Sequence, residues 1–182
     1  RYRVSDRDFK RLVTVIRLSV PYTGMILTAR EPAYIRRDVI PVGCTQIDAS
    51  TRIGIGAYSD SQSDQELERQ QFQIGDSRSL DEVIRELAEM GYITSFCTAG
   101  YRCGRTGEHF MEIAKKGKVH NFCIPNAILT FQEYLEDYAS PQTREIGEKV
   151  IQNHLSSLKD GIKPKVEEYL QRIKKGERDL RI

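Results

Sequence analysis

The sequence predicts an α/β fold in which the N-terminal part alternates helices and strands and the C-terminal part is helical. Two observations lead to this prediction. In residues 1–49, apolar residues at helical spacing alternate with short apolar runs in the order helix, strand, helix, strand. This order with short connections is typical of a parallel α/β sheet. From Pro125 onward, apolar residues recur only at helical spacing.

The first helix is predicted to begin at Ser5, because a serine followed three residues later by Asp8 suits a helix N-terminus. Pro21 is expected to end this helix, since proline cannot continue it. Residues 23–29 are a short apolar run that suits a buried strand. A second helix is predicted to begin at residues 30–32 and to break at Pro41-Val-Gly43, and residues 44–49 are predicted to form the next strand.

The middle of the chain is predicted to be a loop over residues 51–76, with a short edge strand at residues 70–74. Ser79 and Glu82 have the spacing of a capping box, which predicts a helix that ends at Gly91. Its apolar stripe is expected to pack in the core. Residues 92–96 are predicted to form a strand.

The C-terminal part is predicted to contain a short helix at residues 110–117 and three longer ones. The first of the three follows Pro125, the second begins at Ser140-Pro141, and the third follows a break at Asp160-Gly161. Each carries a regular apolar stripe.

Composition limits the functional classes. The 182 residues carry a formal net charge of +2, with basic and acidic side chains interleaved, which gives no electrostatic case for binding nucleic acid. The chain has no apolar run of about 18 residues, so no membrane span is expected. Four cysteines without a secretory signal favour reduced thiols and a cytoplasmic protein.

Three of the four cysteines follow the spacing Cys97-x5-Cys103-x19-Cys123. Thiolates that converge from a strand end, a turn and a helix are usual ligands of iron–sulfur clusters or zinc. The spacing fits no standard zinc pattern, and a free cysteine is often a small core residue. The spacing therefore leaves a metal site, core packing and a redox thiol all open.

Two blocks resemble a known family. They are Tyr92-Ile-Thr-Ser-Phe-Cys-Thr-Ala-Gly-Tyr-Arg-Cys-Gly-Arg-Thr-Gly-Glu-His-Phe-Met111, and Asn121-Phe-Cys-Ile-Pro-Asn-Ala-Ile-Leu-Thr-Phe-Gln-Glu-Tyr-Leu-Glu-Asp-Tyr-Ala139. They look like the C-terminal region of the [FeFe]-hydrogenase maturases that lyse tyrosine, which are radical S-adenosylmethionine enzymes. The resemblance extends over nearly all 182 residues.

The resemblance implies that residues 1–76 are the last βα units of an incomplete (β/α)8 barrel with a connecting loop. Residues 77–182 would then be a mainly helical auxiliary-cluster domain. In the family, Cys-x2-Cys-x22-Cys holds a 4Fe–4S cluster that carries an extra iron. Cys97 and Cys123 match the first and third ligands, Gly100 stands at the middle position, and Cys103 is the nearest thiol that can replace it.

In barrels of this kind, functional residues lie at the carboxyl ends of the strands. Arg30, Gln46 and Ser50 lie in the corresponding segments and are expected to hold the carboxylate of an amino-acid substrate, since guanidinium binds carboxylate in a bidentate manner. The alternative is that Arg30 and Asp48 form only a salt bridge at the rim.

The implied activity is cleavage of tyrosine to supply carbon monoxide and cyanide for assembly of the hydrogenase H-cluster. The Cys-x3-Cys-x2-Cys motif that binds the second 4Fe–4S cluster and S-adenosylmethionine is absent from the sequence. We therefore expect this chain alone to be inactive and to need an N-terminal barrel half, with hydrogenase maturation proteins as further partners. Two alternatives remain: the thiamine-pathway tyrosine lyase (2-iminoacetate synthase), and a helical interaction module without catalysis.

Overall fold

The computed structural model describes residues 4–21, 23–53, 73–96, 112, 115, 116, 118 and 120–182. The chain divides into two compact units, Arg1–Leu80 and Asp81–Ile182. No helix in the described part is both long enough and apolar enough to cross a bilayer.

The N-terminal unit contains α1 (Asp6–Ser19), β1 (Ile26–Leu27), α2 (Ala33–Gly43) and β2 (Gln46–Ile47). The strands pair in parallel, with Ile26 opposite Gln46 and Leu27 opposite Ile47. The predicted order and the parallel pairing are confirmed, with strands shorter than the apolar runs. The buried residues of the small core are Val13, Leu27 and Val39.

The predicted start of α1 is also confirmed. The Ser5 side chain accepts a hydrogen bond from the backbone N–H of Asp8 at 3.2 Å and donates to its carboxylate at 2.7 Å. The first bond satisfies a backbone N–H that a helix N-terminus leaves without an intrahelical partner.

The predicted break of α2 at Pro41-Val-Gly43 is confirmed, since the helix continues through Pro41 and ends at Gly43. Gly43 ends it with a backbone φ of 118°, a conformation that glycine adopts without strain. The Gly43 carbonyl accepts from Arg17 Nη2 at 2.5 Å, which satisfies one group at the helix end. Pro32 is the residue just before the helix rather than part of its first turn.

The described residues of the C-terminal unit are mainly helical, as predicted. Its helices are α3 (Leu80–Glu89), α4 (His120–Asp137), α5 (Pro141–Ser156) and α6 (Lys163–Lys174). The α3 stripe is confirmed as core, since Val83 and Ile84 are buried. The later helices share one core, which includes Phe131, Leu135, Ile151, Val166 and Ile173.

The start of α4 differs from the prediction. The helix begins at His120 and contains Pro125, although we expected it to follow this proline. Pro125 lacks the N–H that would bond the Asn121 carbonyl. That loss falls within the first two turns, and Ala127, Ile128 and Phe131 then bury the helix against the core.

The predicted strand at residues 92–96 is also wrong, because this segment is irregular in the structure. α3 ends at Gly91 with a φ of 84°, and the Tyr92 N–H bonds the Leu87 carbonyl at 2.9 Å. No described strand pairs with the segment. Its last residue, Phe96, packs against a side chain instead, since the centroids of the Phe96 and Tyr134 rings are 5.3 Å apart. Most of the predicted edge strand at 70–74 and helix at 110–117 lies outside the described residues.

Replacing Gly147 with valine is expected to destabilise the C-terminal unit by about 2 kcal/mol. A Cβ atom at Gly147 would lie 2.7 Å from Leu135 Cδ2 and 3.2 Å from Phe131 Cε1, so the core must shift. Urea unfolding measures the loss. Gly161→Val is the matched control, because a Cβ at Gly161 meets nothing within 4 Å. Equal stability of the two variants would contradict the packing of α4 against α5.

Candidate functional site

Arg36 is the centre of the best-defined polar cluster in the N-terminal unit. It lies in α2 between Ile35 and Val39 on the buried face, and only 1% of its surface is exposed. Its Nη1 donates to Asp76 Oδ2 at 2.5 Å, and its Nη2 donates to the backbone carbonyl of Asp48. A buried cation needs such partners, since an unpaired charge in the interior is strongly unfavourable.

Asp76 is the anionic partner and is itself 3% exposed. Its carboxylate also accepts from the Arg78 backbone N–H at 3.2 Å, from Nε at 2.9 Å and from Nη2 at 2.8 Å. Burial alone raises the pKa of Asp76, but the hydrogen bonds from Arg78 and the charges of Arg36 and Arg78 outweigh it and lower the pKa to about 2. The carboxylate is therefore ionised at neutral pH.

Gly75 brings this cluster against the end of β1. The backbone N–H groups of Gly75 and Asp76 both donate to the Ala29 carbonyl, at 2.8 and 2.9 Å. A Cβ atom at Gly75 would lie 2.3 Å from the Arg30 carbonyl oxygen, so no other residue fits there without a backbone shift. Residues 75 and 76 are thus in direct backbone contact with the residues that follow β1.

The predicted substrate residues lie along the two strands as follows. Ile26 and Gln46 are register partners, and Arg30 and Ser50 each lie four positions further along the chain. Arg30 and Ser50 therefore both follow the carboxyl ends of the strands. Gln46 is the first residue of β2 and is exposed. Arg30 is exposed and Ser50 is half-buried.

Asp48 belongs to the same region through Arg36. Its Oδ1 lies 3.9 Å from Arg36 Nη2, and its Oδ2 accepts from Thr51 Oγ1 at 3.1 Å. Ser50, between Asp48 and Thr51, has a φ of 57°, which is unusual for a residue other than glycine. The end of β2 is thus fixed by side chains on both sides of Ser50.

We did not predict a role at the site for Arg36, Asp76 or Arg78 from the sequence. One signal was available, because Arg36 is a cation on the apolar face of α2. Its partner could not be inferred, since Asp76 is 40 residues away in a segment without periodicity.

The predicted cluster ligands are described only in part. Cys123 lies in the first turns of α4 and is exposed. Cys97 and Cys103 lie outside the described residues, so the convergence of the three thiols stays a prediction. Within the described part of the chain, no three His, Cys, Asp or Glu side chains are arranged to hold a metal ion. Cys44 is half-buried beside the small N-terminal core, and burial raises the pKa of its thiol despite the nearby Arg17.

An aromatic and acidic cluster holds the residue that precedes Cys97. The Phe96 ring lies against Tyr134 of α4, and the Tyr134 hydroxyl donates to Asp81 at 3.1 Å. Asp81 also accepts from Ser140 Oγ at 2.7 Å and from Thr143 Oγ1 at 2.9 Å. Burial raises the pKa of Asp81, but the hydrogen bonds from Ser140, Thr143 and Tyr134 outweigh it and lower the pKa. α4 therefore carries Cys123 near one end and anchors Phe96 further along.

Comparison with known proteins assigns the chain. Residues 2–93 match the Biotin and Thiamin Synthesis associated domain. No curated protein sequence matches. A crystal structure described as HydG, a maturase of the [FeFe]-hydrogenase, is 49% identical with a TM-score of 0.85, and the match covers 100% of this chain and 38% of that one.

A second similar structure is the [FeFe]-hydrogenase maturase HydG from Carboxydothermus hydrogenoformans. It is 30% identical with a TM-score of 0.64, and the match covers 93% of this chain and 34% of that one. The chain thus spans little more than a third of the length of these relatives. It belongs to the Biotin and Thiamin Synthesis associated domain family and is similar over its full length to part of the [FeFe]-hydrogenase maturase HydG.

Proposed function

We propose that the chain is the C-terminal part of a radical S-adenosylmethionine enzyme that cleaves tyrosine and supplies carbon monoxide and cyanide for the [FeFe]-hydrogenase active site. The observation that carries this proposal is the 49% identity to a HydG structure over the whole chain. The parallel βα arrangement with polar residues beyond the strand ends supports a substrate-binding role.

In this proposal the N-terminal unit contributes one side of the substrate pocket. Arg30 binds the tyrosine carboxylate through its guanidinium, and Ser50 donates its hydroxyl to the same group. Gln46, at the start of β2, would contribute through its amide. The buried Arg36 and Asp76 keep the backbone of this region in place and do not themselves reach solvent.

The C-terminal unit would hold an auxiliary 4Fe–4S cluster with an extra iron. Three cysteines are a suitable donor set, because thiolates are the usual ligands of iron–sulfur clusters. Cys123 is exposed and thus accessible to a cluster. Cys97 would be the first ligand, and Cys103 would replace the family's middle cysteine, whose position is Gly100 here. When bound, such a cluster supplies an iron that can hold the diatomic products.

The remaining parts would come from outside these 182 residues. S-adenosylmethionine and a second 4Fe–4S cluster need the Cys-x3-Cys-x2-Cys motif, which this sequence lacks. We place them in an N-terminal barrel half, and we place the hydrogenase maturation proteins downstream as cytoplasmic partners.

The experiment is an anaerobic assay of the complete enzyme with tyrosine, S-adenosylmethionine and a reductant. We expect p-cresol, carbon monoxide and cyanide. The 182-residue chain assayed alone is the control and should form no 5′-deoxyadenosine. If the complete enzyme formed no p-cresol, the proposal would be wrong, and the helical interaction module would remain as the alternative. A complete enzyme that makes p-cresol but no cyanide would point to the thiamine-pathway lyase.

Arg30→Ala in the complete enzyme is expected to weaken tyrosine use by about 2 kcal/mol, or roughly 30-fold in kcat/KM. The reason is that a charged hydrogen-bonding partner of the carboxylate is removed. Steady-state p-cresol formation measures the effect. Arg11→Ala is the matched control, because Arg11 is an exposed arginine of α1 in the same unit. Kinetic constants equal to those of the unchanged enzyme would return Arg30 to a structural role at the rim.

A further inference from the structure

We propose that the buried Arg36–Asp76 pair is a positioning device that fixes Arg30 and Ser50 relative to each other at the substrate pocket. This inference rests on the proposed function, and it concerns residues that do not touch the substrate. The pair connects the segments that follow the two strands and carry Arg30 and Ser50, beyond the paired residues Ile26–Leu27 and Gln46–Ile47.

The first connection runs from Arg36 to Ser50. Arg36 Nη2 donates to the carbonyl of Asp48, two residues before Ser50. Ser50 adopts a φ of 57°, a left-handed conformation that is strained for a residue with a Cβ and persists only where its surroundings hold it. The guanidinium anchors one side of this strained residue, and the Thr51–Asp48 hydrogen bond anchors the other.

The second connection runs from Asp76 to Arg30. The Asp76 backbone N–H bonds the Ala29 carbonyl at 2.9 Å, directly before Arg30, while its side chain bonds Arg36. A Cβ atom at Gly75 would lie 2.3 Å from the Arg30 carbonyl oxygen, so the two backbone segments are in close contact. Asp76 therefore holds the end of β1 through its backbone and the end of β2 through Arg36.

Arg78 completes the arrangement from the other side. It donates three N–H groups to the Asp76 carboxylate, so that carboxylate is occupied and fixed in orientation. Such a group is poorly suited to act as an acid or base but well suited to hold Arg36. All these contacts lie within the N-terminal unit.

If Arg36 and Asp76 only stabilised the fold, a different result would be expected. An apolar pair of similar volume often replaces a buried ion pair with no loss of stability, so stability alone does not require Arg36 and Asp76. An apolar pair cannot bond the Asp48 carbonyl. Stability and substrate binding should therefore separate when both residues are replaced together.

The experiment compares Asp76→Leu with the double variant Arg36→Met, Asp76→Leu in the complete enzyme. We expect the single variant to lose thermal stability and the double variant to recover it. The KM for tyrosine should stay raised at least about tenfold in the double variant, because misplacement of binding groups by about 1 Å is costly. The double variant Lys10→Met, Asp38→Leu is the matched control, since it removes an exposed pair of the same unit.

A second variant keeps the test decisive if the apolar pair does not fold. Arg36→Lys retains the charge, but an ammonium cannot make the planar two-sided contact to Asp76 and to the Asp48 carbonyl. It should fold with a raised KM and a raised dissociation constant for tyrosine. A KM equal to that of the unchanged enzyme in either folded variant would overturn the inference. If the enzyme without substitutions formed no p-cresol, the proposed function would be wrong, and the inference would fail with it.

Discussion

Replacement of Asp76 by alanine is expected to lower the free energy of unfolding of the N-terminal unit by about 3–5 kcal/mol. The loss arises because Arg36, only 1% exposed, would keep its charge without its anionic partner. Hydrogen exchange of the α2 amides measures the unit by itself. Asp38→Ala is the matched control, because Asp38 lies in the same helix but pairs with Lys10 at the surface. A loss below about 1 kcal/mol would contradict the pairing.

The Asp76 carboxylate also makes the stability of the N-terminal unit depend on pH under acid conditions. The folded pKa of Asp76, about 2, lies below the ordinary value of 3.8, so its contribution is present above the ordinary pKa. That contribution, about 2 kcal/mol, is lost as the pH falls from about 4 through about 2. The free energy of unfolding should therefore fall less with decreasing pH over this range in Asp76→Ala than in the chain without substitutions.

The second large effect concerns the cysteines of the C-terminal unit. Cys123→Ala is expected to abolish most iron binding after anaerobic reconstitution of the chain, because only two thiols of the predicted ligand set would remain. Cys44→Ala is the matched control, since Cys44 lies beside the core of the N-terminal unit. Iron and sulfide analysis of both variants measures the effect. Equal iron content in the two variants would exclude Cys123 as a ligand.

The helices were largely predictable because their signals are local. Ser5 with Asp8 fixes the start of α1, and apolar stripes identify the core faces of α3 to α6. The parallel pairing also followed from the alternation of helix and strand signals. These features depend on neighbouring residues, which a sequence displays directly.

The failures share a dependence on distant contacts. Apolar residues at 92–96 predict a strand, but a strand needs a partner, and the segment instead leads to the Phe96–Tyr134 ring contact. Pro125 predicts the start of α4, but the helix begins at His120 and its later residues bury it against the core. The position of Arg30 and Ser50 beyond the strand ends followed from sequence. The Arg36–Asp76 support did not, because its members are 40 residues apart.

The most direct test for an auxiliary cluster is electron paramagnetic resonance of this chain after anaerobic reconstitution with iron and sulfide and reduction with dithionite. We expect a brown protein with the signal of a reduced 4Fe–4S cluster, and loss of that signal in Cys123→Ala but not in Cys44→Ala. A colourless chain without bound iron and without a signal would contradict an auxiliary-cluster domain.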